Sequence, residues 1–213
     1  MNIKQWIKRA VYLYVMIGTS SVFSGSYEDF FIAVKRNDGR TITALTERGF
    51  DPNTRGPQGE IGLVMALHGE NLAAAEAIFA RRDLQLDLTN AAGESALMMA
   101  ALRGEHDWVV RLLARGAALD KPGWTALHYA ATGPEPRIVA LLLERGAKVE
   151  AESPDRTTPL MMAARYGKEE SVKLLLARGA DPKRTNDRNM TAVDFARGSG
   201  REWLVEMLAK AGR

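Results

Sequence analysis

The stretch Thr158-Pro159-Leu160-Met161-Met162-Ala163-Ala164 decides how this chain reads, because two other segments superpose on it. They are Thr125-Ala126-Leu127-His128-Tyr129-Ala130-Ala131 and Ser95-Ala96-Leu97-Met98-Met99-Ala100-Ala101. In each, a Gly followed by Ala stands 19 residues after the Leu, at Gly116, Gly146 and Gly179. The same offset pairs Val193 with Gly212 and Phe30 with Gly49, and it sets Leu63 opposite Arg82, where the Gly is missing. The anchors Phe30, Leu63, Leu97, Leu127, Leu160 and Val193 are spaced by 33, 34, 30, 33 and 33 residues. A period in this range marks a repeat architecture. There are six units.

Each unit reads as two short helices. Thr158 is a good N-cap with Pro159 at the first helical position, where a missing N–H costs nothing. Ser95, Thr125 and Thr191 take the same capping place. The second helix carries apolar residues at i, i+3 and i+4: Val109, Leu112 and Leu113, then Val139, Leu142 and Leu143, then Val172, Leu175 and Leu176. It stops at the Gly, which adopts the left-handed conformation that a Cβ would penalise. Paired alanines such as Ala163-Ala164 let neighbouring helices approach closely. No unit can bury its apolar face alone, so the units must stack.

Over residues 26–213 these motifs resemble the ankyrin repeat. The resemblance implies an all-α solenoid of about six stacked helix-turn-helix units joined by β-hairpin fingers. It also implies a concave face of fingers and first helices that binds a partner protein. Several positions depart from the pattern. The His after the anchor Leu survives only as His128, with Val64, Met98, Met161 and Asp194 elsewhere, so those units are expected to lack its polar network. Arg82-Asp83 replaces Gly-Ala, so the second helix of unit two should end differently. The spacing of 30 between Leu97 and Leu127 puts a deficit between Gly116 and Gly123, which predicts a stubby finger. Pro136 suits the first turn of a second helix.

The 213 residues include no cysteine, 46% hydrophobic and 26% charged residues, an ordinary globular composition that argues against disorder, collagen-like fibres and polytopic membrane proteins. Without Cys there are no disulfides, thiolate zinc sites or cysteine nucleophiles. The net charge of +3 belongs to Lys4, Lys8 and Arg9; from Glu28 onward 26 basic residues face 26 acidic ones. A balanced repeat region lacks the clustered basic surface that nucleic-acid binding needs, so none is expected.

Residues 1–9 are positive, Ala10 to Ile17 are apolar, and Gly18-Thr19-Ser20-Ser21 follow, which is the order of a secretory signal peptide. The apolar block is shorter than the roughly 20 residues of a membrane-spanning helix. Residues 1–25 therefore read as a signal peptide, or alternatively as an uncleaved N-terminal anchor. This leader, with Tyr27-Glu28-Asp29-Phe30-Phe31, gives the chain a resemblance to exported bacterial ankyrin-repeat proteins. That implies a periplasmic location, or an inner-membrane anchor facing the periplasm, with membrane contact only through the N-terminal segment if it stays uncleaved.

Catalytic chemistry is scarce. His68, His106 and His128 are the only histidines, and none stands in a zinc-triad arrangement. Gly198-Ser199-Gly200 lacks the residue and the strand that a nucleophile elbow needs. No catalytic, metal-binding or cofactor-binding residue is assigned and no cofactor is expected. The chain reads as a non-enzymatic interaction module, most simply a monomer; a membrane-tethered scaffold and a small hydrolase or metal-dependent enzyme are the competing readings. The resemblance to the ankyrin repeat implies that the positions free to vary are the fingertips, the residue after the finger Gly and the two residues after the Ala pair. Counting from each anchor gives Tyr27, Lys35 and Arg36, then Glu60 and His68, then Glu94, Leu102 and Arg103. Units four to six add Trp124 and Thr132, then Thr157, Arg165 and Tyr166, then Met190 and Ser199. Trp, Tyr and Arg dominate binding hot spots. Trp124, beside the stubby finger, is the leading candidate, set against simple packing on neighbouring fingers.

Overall fold

A computed structural model describes residues 25–212. Among them twelve helices follow one another in pairs. The first pair is α1 (25–35) and α2 (Gly39–Glu47); then come α3 (Gly62–His68) with α4 (Leu72–Phe79) and α5 (Ala96–Arg103) with α6 (His106–Ala114). The last three pairs are α7 (Ala126–Thr132) with α8 (Pro136–Glu144), α9 (Pro159–Tyr166) with α10 (Glu169–Ala177), and α11 (Ala192–Gly198) with α12 (Glu202–Ala211). First helices stack in sequence, α3 on α5, α5 on α7, α7 on α9 and α9 on α11, and second helices form a layer behind them, with α2 against α4 and α8 against α10. One apolar core runs through all six units.

The repeat motif explains each helix start. Leu63, Leu97, Leu127, Leu160 and Val193 are each the second residue of their helix. The Ser95, Thr158 and Thr191 hydroxyls accept from the N–H groups of Met98, Met161 and Asp194, all at 3.4 Å. The polar network expected to be lost at those units survives in its local half. Met98 and Met161 Sδ accept the Ser95 and Thr158 N–H groups at 3.4 Å, and the Asp194 carboxylate accepts from Thr191 N–H at 2.8 Å. A soft thioether or a carboxylate closes the capping box that His closes in unit four.

The glycine offset explains most helix ends. Gly49, Gly116, Gly146 and Gly179 have φ of 95, 93, 91 and 87°, and the N–H after each returns into the helix, as Ala117 does to Leu112 O at 3.0 Å. At Arg82 this ending is absent. Helix α4 stops at Phe79 with Ala80 still right-handed, and the Arg115 guanidinium from the next unit donates to the partly buried carbonyls of Phe79 and Arg81. Gly212 also departs from the pattern, with φ of −86°.

The expected β-hairpin fingers are hydrogen-bonded turns rather than strands. Gly56 N–H donates to Glu60 O at 2.8 Å, and Asn90 to Glu94, Ser153 to Thr157 and Asn186 to Met190 repeat the bond at 2.9, 3.0 and 3.1 Å. Only the isolated bridges Arg55–Ile61 and Thr89–Ser95 extend it among the described residues. The arms are too short for a ladder. Fingers are tied to one another instead: Asn53, Asp87, Asp120 and Glu150 side chains accept backbone N–H groups of Gln85, Ala118, Lys148 and Asp181 at 2.7, 2.7, 3.2 and 2.7 Å. The turn bond is not formed between Asp120 and Trp124, in the finger whose deficit predicted a stub.

Candidate partner-binding surface

The short finger delivers Trp124 to the place that Thr157 occupies one unit later. Thr157 is 3% exposed, its N–H donates to Ser153 Oγ at 2.9 Å, and its carbonyl accepts from His128, so it is a structural residue and not the surface position the counting suggested. Trp124 is half-buried. Its indole meets the His128 imidazole edge-on at 5.2 Å between centroids and the Tyr129 ring at 6.5 Å. It packs on two rings of the helix of its own unit.

Leu102 of α5, Trp124, Tyr129 and Thr132 of unit four, and Met162 of α9 enclose a cavity of 210 Å³, with His128 at its base. Its lining is almost wholly apolar. The Tyr129 hydroxyl donates to Glu94 Oε1 at 2.9 Å, while Glu94 Oε2 accepts from Asn90 at 2.7 Å, so the acidic finger residue fixes the aromatic wall. Burial and the Glu94 carboxylate beside it push the Tyr129 phenol above its ordinary range. Tyr129 and Met162 were not legible as site residues, because the sequence places them in the core motif. Their signal is helical: each lies three residues before a variable position, Thr132 or Arg165, and therefore on the same face.

The other predicted positions divide. Arg103 ends α5, exposed, 3.6 Å from Glu70; Arg165 and Tyr166 are exposed at the end of α9, the guanidinium 5.0 Å from the ring centroid. Arg103 follows the lining residue Leu102 directly, and Arg165 stands one helical turn after the lining residue Met162. Tyr27, Arg36 and Glu60 belong to the first two units, away from the cavity lining: the Tyr27 hydroxyl donates to Arg55 O at 3.1 Å, Arg36 is exposed, and Glu60 Oε2 accepts from Gln58 N–H at 2.8 Å. Met190 is half-buried in the last finger, its N–H donating to Asn186 Oδ1 at 3.1 Å.

No group of three or more His, Asp or Glu side chains is disposed to hold a metal among the described residues. His68 is exposed on α3, His106 Nδ1 lies 3.5 Å from Asp107 on α6, and His128 is fully buried. The Thr125 N–H and hydroxyl point at His128 Nδ1 at 3.2 and 3.0 Å, which leaves Nε2–H to donate to Thr157 O at 3.0 Å. Burial lowers its pKa from 6.5 to about 4, outweighing the backbone acceptors and Asp120 and Asp155 that favour the cation. A neutral imidazole with both nitrogens engaged is a joint between units.

The family description "Ankyrin repeats (3 copies)" matches residues 30–153 and again 135–213. The chain belongs to the ankyrin-repeat family. This ankyrin-repeat chain is 28% identical over 193 residues to Protein glp-1 of Caenorhabditis elegans, covering 83% of the chain and 15% of that protein. It is 31% identical over 182 residues to the neurogenic locus notch homolog protein 1 of Danio rerio, covering 76% of the chain and 7% of the relative. The chain thus spans a small fraction of these proteins. A solved structure of a predatory endopeptidase from Bdellovibrio bacteriovorus in complex with an immunity protein contains a chain with the same fold. There the TM-score is 0.71 at 24% identity, over 85% of this chain and 97% of that one. Ankyrin repeats make the protein a protein–protein interaction module.

Proposed function

We propose that this protein is a non-catalytic module, exported across the inner membrane, that binds a partner protein through its concave surface of fingers and first helices. The observation that carries the reading is the apolar cavity bounded by Leu102, Trp124, Tyr129 and Met162, where three successive units converge. A rigid stack holds such a surface preorganised, which keeps the ordering cost of binding low. Six units at about 8 to 10 Å per layer supply ample length for a standard interface of roughly 800 Å² per partner. Trp124→Ala with Arg165→Ala is expected to abolish capture of the natural partner while helical circular dichroism is unchanged. Undiminished capture would move binding to the second helices.

Export rests on residues 1–24, which lie outside the described residues, and on their charged, apolar, small-residue order. Processing near Tyr27 is compatible with the core, since Phe30, Phe31, Ala33 and Val34, the buried residues of α1, all lie beyond that point. N-terminal sequencing of the protein from cells separates a cleaved periplasmic form from a tethered one: a start near Tyr27 supports the first, and retention of Ala10 to Phe23 supports an inner-membrane anchor.

A further inference from the structure

The cavity is small, and the carboxylate beside it, Glu94, is engaged by the Tyr129 hydroxyl and by Asn90, while the arginines of the flanking units reach solvent. Ligand sites for drug-sized molecules run from about 300 to 1,000 Å³, so 210 Å³ is short of a cofactor pocket. At roughly 30 Å³ per water it has the space of about seven waters, which suits one Leu, Met or Phe side chain. The dry lining of Leu102, Trp124, Tyr129 and Met162 favours such a group over a phosphate backbone.

The first helices of several units end in a row of cations, of which Arg103 and Arg165 belong to the two units that flank unit four at the cavity. The two residues following the alanine-pair position are Lys35 and Arg36 in unit one, and they include Arg103 in unit three and Arg165 in unit five, with no Asp or Glu at these positions in any unit. A cation at a helix C-terminus also complements the helix dipole, but that local effect leaves the guanidinium groups in solvent. Arg36 and Arg165 are exposed and make no ion pair among the described residues, and Arg103 shares Glu70 only at 3.6 Å. From Glu28 onward basic and acidic residues are equal in number, so this row is a local property of one edge of the binding face.

Resting on the concave-face reading above, the geometry points to a partner segment that inserts one large apolar side chain between Trp124 and Met162 and carries carboxylates on either side, toward Arg103 and Arg165. The apolar side chain supplies desolvated contact area, and the flanking carboxylates set orientation and specificity against basic competitors.

Three labelled peptides test this on the full chain by fluorescence polarisation: leucine flanked by glutamates, alanine flanked by glutamates, and leucine flanked by lysines. The first should bind at least about tenfold more tightly than either other, the scale of a single interfacial hot spot. Arg103→Glu with Arg165→Glu, both on exposed positions, should reverse the preference toward the lysine-flanked peptide. Leu102→Glu should remove binding of both leucine peptides, with circular dichroism confirming the fold. Equal binding of the glutamate- and lysine-flanked leucine peptides, each lost in Leu102→Glu, overturns the acidic partner and leaves the concave face standing. Equal binding of the leucine and alanine peptides, or no binding of the first at millimolar concentration, overturns the inserted side chain. Binding untouched by Leu102→Glu overturns the concave face as well.

Discussion

His128 has no exposed surface, its two ring nitrogens join Thr125 to Thr157 across two units, and burial holds its pKa at about 4. In the unfolded chain the same imidazole titrates near 6.5. Between those values the unfolded state binds the extra proton, so stability is complete above about pH 6.5 and declines as pH falls toward 4. A shift of that size corresponds to a loss on the order of 3 kcal/mol. Urea unfolding at pH 7 and pH 4.5 should show it as a lower midpoint in acid. His128→Met installs the residue that units three and five use at this place. It should cost about 1–2 kcal/mol at pH 7 through the lost bond to Thr157 O, and this part of the acid sensitivity should disappear. A variant that keeps the wild-type pH profile would assign the sensitivity to other groups.

At the scale of the element, α4 shows how a stack tolerates a broken local rule. Without a Gly at position 82 the chain does not make the left-handed turn that ends α6, α8 and α10. Helix α4 ends early and its last carbonyls are met by Arg115, whose guanidinium also lies 4.8 Å from the Phe79 ring centroid. Arg111 of the same helix pairs with Glu76 of α4 at 2.5 and 2.7 Å, so α6 holds α4 at two points. Arg115→Ala should therefore destabilise the protein by about 2 kcal/mol, since charge-assisted hydrogen bonds to partly buried carbonyls are lost. Amide exchange should quicken first in the last turn of α4. An exchange pattern that changes equally in all second helices would show that Arg115 acts on the stack and not on this helix end.

At the scale of the whole molecule, stability is carried by contacts between neighbouring units, and one close approach makes that testable. A Cβ added at Gly167 would stand 2.0 Å from Ala131 O and 3.0 Å from Ala163 Cα, so α7 and α9 meet there with no room for a methyl group. Gly167→Ala should cost about 2–3 kcal/mol by overpacking. Because a solenoid is coupled only through its interfaces, α9 to α12 should then open to hydrogen exchange at lower urea than α3 to α8. Gly198→Ala, where nothing lies within 4 Å, is the control and should be near neutral. A single shared transition in both variants would mean coupling beyond nearest neighbours. The recurrence of Leu, Ala pair and Gly determined the helix pairs, their order and the short finger, because each of those residues acts locally through a cap, a turn or a small side chain. The sequence alone also marked Trp124, through the three missing residues beside it. Tertiary structure decided what surrounds it. Tyr129 and Met162 look like core until the stack opens their face into a cavity, Thr157 looks free until His128 reaches its carbonyl from the preceding unit, and Arg115 replaces a missing Gly 33 residues away. These are contacts between units, and a spacing along one chain cannot carry them.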